Sequence, residues 1–304
     1  MLSAEGGNFP MRIGLCCLSA VILIAGWSKP ACGAKAKGKV LFPSDRAPER
    51  QEDMVKVPAG CFSMGRGDGD PDEGPAHKVC LSAFRIDRLE VSQGRYLATM
   101  GTSGHADDGS CSVFELTTGK WEEGGAIGPG FRGKDRPVVC VDWEEAAEFC
   151  RREGLRLPTE AEHEYASRAA TTTRFSWGDD PNQGCLYANG ADRTALSNGW
   201  SWDRKMDCRD GRSDELAPVG SYRPNAWGIH DMTGNVLEWV SDWYGEDYYS
   251  RSPKKDPRGP SSGFFRVYRG GGWIDLPDYL RPTFRSRLVP RARNHFLGFR
   301  CAGS

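Results

Sequence analysis

The sequence predicts a single α+β domain with little regular structure for its size. Two helices are marked by capping boxes, and the rest is short apolar stretches broken by Gly, Pro, Asn and Asp. No segment of linker composition between Met54 and Ala302 is long enough to separate one domain from another. Gly and Pro make up about a fifth of the 304 residues without the fixed period of collagen, so a loop-rich globular protein follows. The formal net charge of -1 argues against a protein that binds nucleic acid by neutralising its backbone.

Along the chain, Met11 and Arg12 lead into the uncharged stretch Ile13 to Gly26, followed by small residues up to Ala34. This is the pattern of a secretory signal over residues 1–34, too short to span a bilayer easily. Ala31-Cys32-Gly33 also offers a lipoprotein-type processing site, which would make a lipid on Cys32 the one membrane attachment. The expected location is therefore outside the cytoplasm: periplasmic, outer-membrane lipoprotein or secreted. Residues 35–53, rich in Lys, Pro, Arg and Asp, read as a flexible linker, and residues 54–304 as the domain. Beyond Cys16, Cys17 and Cys32 stand Cys61, Cys80, Cys111, Cys140, Cys150, Cys185, Cys208 and Cys301. An even number in an exported chain implies four disulfides, and the count leaves their pairing open.

Ser92 is placed to cap a short helix through Tyr96 and Leu97. Asp142 with Glu145 forms a capping box, after which Trp143, Ala146, Ala147, Phe149 and Cys150 fall at helical spacing until Gly154. Thr159 with Glu162 repeats the pattern after Pro158 and starts a helix carrying Ala161, Tyr165 and Ala169.

Few local patterns carry chemistry. Asp68, Asp70 and Asp72 alternate as in a calcium loop. However, Glu73 stands where an EF-hand needs its turn glycine and Val79 where it needs the bidentate Glu, so a solvated acidic loop is expected. Glu160, His163 and Glu164 share a helix face, yet without an HExxH motif His163 reads as a packing or exposed residue rather than a ligand. His77, His105, His230 and His295 have no sequence neighbours that complete a site. Neither a G-x-S-x-G motif nor a phosphate-binding glycine loop occurs, which removes support for serine hydrolases and nucleotide binders.

Taken in order, a series of segments resembles the formylglycine-generating enzyme, or sulfatase-modifying factor, family. These include Val57-Pro58-Ala59-Gly60, Phe84-Arg85-Ile86-Asp87-Arg88-Leu89-Glu90-Val91-Ser92 and Gly154-Leu155-Arg156-Leu157-Pro158-Thr159-Glu160-Ala161-Glu162. Asp231-Met232-Thr233-Gly234-Asn235-Val236-Leu237-Glu238-Trp239, Arg269-Gly270-Gly271-Gly272-Trp273 and Gly298-Phe299-Arg300-Cys301 complete the series. The resemblance covers roughly residues 54 to 302 and implies a C-type-lectin-like fold of the sulfatase-modifying type.

The resemblance also implies a disulfide between Cys150 and Cys301, closing a loop of about 150 residues that contributes roughly 4–5 kcal/mol on the chain-entropy model. Proximity in sequence then suggests Cys61 with Cys80, Cys111 with Cys140, and Cys185 with Cys208. Two calcium sites are implied as well. The first would use Asn189 and Asp210 with the carbonyls of Gly190 and Arg212; the second would use Asp231 and Glu238 with the carbonyls of Gly234 and Val236. Hard oxygen donors of this kind suit calcium.

The likeness breaks where the family's oxidase holds copper(I) on two cysteines. Those positions fall on Asp275 and Leu280, and the family's serine and histidine fall on Gly272 and Leu276. Thiolates suit Cu(I) and carboxylates do not, so formylglycine formation by the thiol and copper route is not expected. The first expectation is an exported, monomeric, calcium-stabilised module that binds an unidentified protein or glycan partner. One alternative is an oxidoreductase with a non-haem iron (Fe2+) site, for which His77, His295, Asp275 and Asp278 are the residues to inspect. The other is calcium-dependent carbohydrate binding through Trp200, Trp202 and Trp273.

Overall fold

The computed structural model describes residues 53–104, 108–115, 120–125, 127–194, 205–212 and 215–304. The segments expected to be a signal and most of a linker, together with Cys32, His105, Trp200 and Trp202, lie outside the described residues. Those described belong to one compact unit, which begins at Asp45.

Two small sheets and two hairpins carry the strands. Strands β1 (Met54–Val57) and β4 (Phe84–Asp87) pair antiparallel, and β11 (Ala302–Gly303) joins the other edge of β4, so the two ends of the domain close on one sheet. Between β1 and β4, strands β2 (Gly60–Met64) and β3 (His77–Leu81) form a hairpin with Cys61 opposite Cys80. The second sheet runs in the order β10 (Leu297–Gly298), β7 (Leu237–Trp243), β8 (Arg266–Arg269), β9 (Arg285–Leu288), with only the β10–β7 pair parallel. Strands β5 (Ser112–Glu115) and β6 (Lys120–Glu123) make a separate hairpin. All described cysteines are bonded, as 61–80, 111–140, 150–301 and 185–208, the four pairings expected.

The helices form where the caps place them. The Ser92 hydroxyl accepts from Arg95 N at 3.2 Å and starts α1 (Gln93–Met100). Asp142 and Glu145 bond reciprocally at 3.0 and 2.9 Å and start α2 (Trp143–Arg152). Thr159 and Glu162 do the same at 3.1 and 2.8 Å for α3 (Glu160–Arg168). Ala169, expected inside α3, instead ends it in the left-handed region at φ 44°.

Helices α1 and α2 cover the second sheet. Tyr96 stacks on Phe149 at 5.5 Å, and Phe299, Trp239 and the Cys150–Cys301 bond fill the space below. Each fully buried large apolar side chain of this kind contributes about 1.5–3 kcal/mol. The third helix differs. All nine of its residues are buried, although five are charged or histidine, because it lies between the first sheet, the β2–β3 hairpin and the second sheet.

Candidate functional site

Burying the carboxylates of α3 is costly unless each meets a donor; Arg156 meets Glu162 from just before the helix, and two arginines from the C-terminal segments meet the other two. Arg285 forks onto Glu160 at 2.7 and 2.9 Å, and Tyr249 donates to the same carboxylate at 3.2 Å. Glu164 accepts from Arg269 at 2.5 Å, from Arg168 at 3.0 Å and from Gly65 N at 2.8 Å. On β7, Glu238 accepts from Arg300 at 2.6 to 2.9 Å and meets His163 Nε2 at 3.1 Å. Burial alone would raise Glu238; Arg300 and His163 outweigh it and hold the carboxylate at about 2. His163 is pushed down by burial, against the opposing pull of Glu238. The helix face that offered metal ligands in sequence is thus consumed by ion pairs. The acidic loop needs a correction too: Glu73 is fully buried and bonded to Arg281, while Asp68 and Asp70 remain exposed.

The two sets of expected calcium ligands differ. At the second, Asp231 and Asn235 hold left-handed backbone at φ 54° and 65°, a conformation Asp and Asn tolerate better than most residues. Gly234 sits at φ 84°, where an added Cβ would meet Asn189 O at 2.6 Å. Asn235 pins the loop, donating to Glu90 and Ala217 O and accepting from Ala217 N and Asn189. Asp231 Oδ2 accepts from Gly220 N, but its Oδ1 is buried with no partner. Burial first, and then the charge of Glu238, push Asp231 up to about 6; Glu90 is raised by burial and by the same two carboxylates. The orphaned oxygen of Asp231 is one hard donor open to a cation, while Arg300 and His163 already occupy Glu238 and Asn235 and Val236 N occupy Glu90.

At the first set, Asp210 is engaged within the protein. Asp210 accepts from Arg212 N and Tyr222 OH, and Asn189 turns its amide nitrogen to Glu215 O and Asn235. With Asp210 and the Asn189 amide nitrogen engaged within the protein, this set, whose other expected donors are the carbonyls of Gly190 and Arg212, shows no orphaned oxygen like that of Asp231. Among the described residues no three His, Cys, Asp or Glu side chains converge to hold a metal ion.

The family's cysteine positions lie on the turn after β8. Gly271 is in the left-handed region at φ 69°, and a Cβ there would meet Leu280 and Tyr279 O at 2.7 Å, so the Arg-Gly-Gly motif is a close-packed corner. Leu280 is fully buried in an apolar cluster with Phe175, Ala188 and Met206. Asp275 lines a cavity of about 340 Å³ together with Trp121, Tyr268, Tyr279, Phe284 and Phe296. Its Oδ2 accepts from Gly272 N at 2.8 Å, and among the described residues Oδ1 has no donor. The carboxylate is partly open at the pocket mouth and enclosed by protein elsewhere, and this burial, opposed only by the Gly272 amide, pushes it up to about 6. Trp121 and Tyr279 stand at the rim, 51% and 40% exposed.

The remaining expected residues do not line this pocket, although His295 packs behind its Trp121 and Phe296 walls. His77 Nδ1 bonds the Pro75 carbonyl and its ring packs on Tyr249. Asp278 pairs with Arg174. His295 is buried among Phe131, Trp273 and Phe296, and Trp273 is core rather than surface. The pocket aromatics were missed in the sequence because they come from β6, β8 and later turns, with no local period to group them.

Comparison with known proteins agrees with this architecture. The family model of the sulfatase-modifying factor enzyme 1-like domain matches residues 40–304, and the chain belongs to that family. It is 35% identical over 290 residues to a formylglycine-generating enzyme of Streptomyces coelicolor, covering 84% of this chain and 90% of that one. A mouse protein described as inactive C-alpha-formylglycine-generating enzyme 2 is 30% identical, over 83% of this chain and 85% of its own. The solved structure of PvdO from Pseudomonas aeruginosa superposes with a TM-score of 0.63 at 29% identity, covering 83% of this chain and 94% of that one. The fold is accordingly the α+β, C-type-lectin-like one that the motifs implied.

Proposed function

We propose that this domain is an exported binding module of the family, one that does not make formylglycine by the thiol and copper route, and that its ligand site is the Asp275 pocket. The observation that carries the reading is the pair of residues at the oxidase positions: a carboxylate lining an aromatic cavity and a leucine sealed in the core. Neither suits Cu(I), and every described cysteine is already in a disulfide. A relative spanning the same domain is itself described as inactive. The signal-like N-terminus and the four disulfides support export to an oxidising compartment.

Calcium belongs to this reading as a structural ion. Asp231, Glu238 and the carbonyls of Gly234 and Val236 would hold it, and it would supply positive charge beside the unpartnered Oδ1 of Asp231 and the buried Glu90. The test of the main claim is incubation of the protein with copper, oxygen and a Cys-x-Pro-x-Arg peptide. No aldehyde is expected, and its appearance would reverse the reading. An iron-dependent oxidase remains the second reading only in so far as Asp275 is open to a ligand; transition metal bound at one equivalent in purified protein would favour it.

A further inference from the structure

We propose that the Asp275 pocket binds a small organic ammonium ion, which donates an N–H to the open carboxylate oxygen and lays its alkyl body among the aromatic rings. The inference rests on the binding-module reading above and names its ligand class.

Charge complementarity is the first argument. The described lining of the cavity is aromatic or aliphatic apart from Asp275, so the pocket carries one negative charge and, among the described residues, no cation to meet it. Elsewhere in the molecule buried carboxylates are matched from within: Glu160 by Arg285, Glu164 by Arg269, Glu238 by Arg300. Aromatic cages are likewise filled from within, since the Arg266 guanidinium lies 3.5 Å from the ring centroids of both Trp143 and Trp243. The Asp275 pocket combines the two chemistries, a carboxylate and ring faces, that favour an organic cation.

Other ligands fit less well. An anion meets Asp275 with like charge. A neutral apolar molecule leaves the carboxylate desolvated without a donor, and a quaternary ammonium brings no N–H to Oδ1. A metal ion lacks ligands, because no second metal-binding side chain lines the cavity. The volume of about 340 Å³ is near the lower end of small-molecule sites, which favours a free amine over a segment of protein. The exposed Trp121 and Tyr279 leave the mouth open to such a ligand.

The test titrates the whole protein with n-butylammonium and follows binding by calorimetry and by tryptophan fluorescence, with Trp121 in the wall as reporter. Tetramethylammonium, n-butanol and butyrate serve as controls. Expected are saturable binding of butylammonium, weaker binding of tetramethylammonium and butanol, and none of butyrate. Asp275→Asn should weaken butylammonium by about 10- to 100-fold, the loss of one charge-assisted hydrogen bond. If that variant does not fold, Tyr279→Ala at the exposed rim should still reduce affinity, and a crystal of the unaltered protein soaked with the amine should place its nitrogen on Asp275. Butanol or butyrate binding as well as the amine, or affinity indifferent to Asp275→Asn and Tyr279→Ala, overturns the ligand class while leaving a binding module. A lysine peptide binding in preference to the free amine overturns the small-molecule assignment. Aldehyde formation in the peptide assay, by contrast, overturns the underlying reading itself.

Discussion

The centre of the domain and the pocket beside it handle negative charge in opposite ways. Around α3, Glu160, Glu164 and Glu238 are buried and each is met by an arginine brought from a distant stretch of the chain. At Asp275, and at Asp231 near the β7 loop, a carboxylate is enclosed with only backbone N–H donors, and each is pushed up to about 6 by burial. The matched set is architecture: its charges cancel inside the protein, and of its members Glu238 also borders the unmatched Asp231. The unmatched set is where the proposed cations would bind, a metal at Asp231 and an organic ammonium at Asp275.

The comparison breaks most severely if a matched partner is removed. Arg269→Ala leaves Glu164 Oε2 without its donor in the core, with Arg168 and Gly65 N still on Oε1, and should cost about 3 kcal/mol, read as a lower denaturation midpoint of the disulfide-intact protein. If the loss is below about 1 kcal/mol, the buried pairs do not hold the scaffold together.

Next comes calcium. At a hundredfold excess over its Kd, an ion that binds only the folded protein adds about 3 kcal/mol. Chelation should therefore lower the melting temperature, and Asp231→Asn should abolish the difference, whereas Asp210→Asn should leave it in place because the oxygens of Asp210 already have donors.

The pH dependence separates the two sets by sign. Glu238 is held at about 2, below its ordinary 4.5, so its contribution is present above pH 4.5 and disappears as the pH falls toward 2. A further carboxylate without an arginine, Asp242 on β7, which accepts from Glu160 N and the Ser241 hydroxyl at 2.9 Å each, is raised from 3.8 to about 7, by burial and then by the charge of Glu160. Between those values the folded state binds more protons than the unfolded one, so this contribution falls as pH rises from about 4 to about 7. Asp242→Asn should flatten that limb of a stability–pH curve measured without calcium and leave the acid limb unchanged.

The smallest effects are expected at the pocket. Asp275→Asn should leave stability unchanged or slightly raised at neutral pH, since an ionised group with poor solvation is replaced by a neutral one. Tyr279→Ala, at an exposed position, should stay within about 0.5 kcal/mol of the unaltered protein. A large loss in either case would place the pocket with the scaffold.

Much of the frame was legible in the residues. The caps at Ser92, Asp142 and Thr159 are local hydrogen-bonding patterns, complete within four residues, and each helix starts where its cap stands. The ordered motifs identified the family, and with it the Cys150–Cys301 bond. Asp275 and Leu280 were readable as departures because Gly270 and Cys301 hold the register on either side. The burial of all of α3 was not legible: a helix reading Glu-Ala-Glu-His-Glu looks solvent-facing until Arg269, Arg285 and Arg300 arrive from the far end of the chain. Glu73 misled for the same reason, its partner Arg281 lying on a distant turn.

The sequence by itself determined the fold class, the helix starts, the family and the loss of the two thiols, because each is written in short spans of neighbouring residues. Only the tertiary structure decided which carboxylates are cancelled and which stay open, and that Asp275 faces an aromatic pocket while Leu280 is sealed away. Pairing and burial depend on which distant side chains converge in space, and one stretch of sequence does not contain that information.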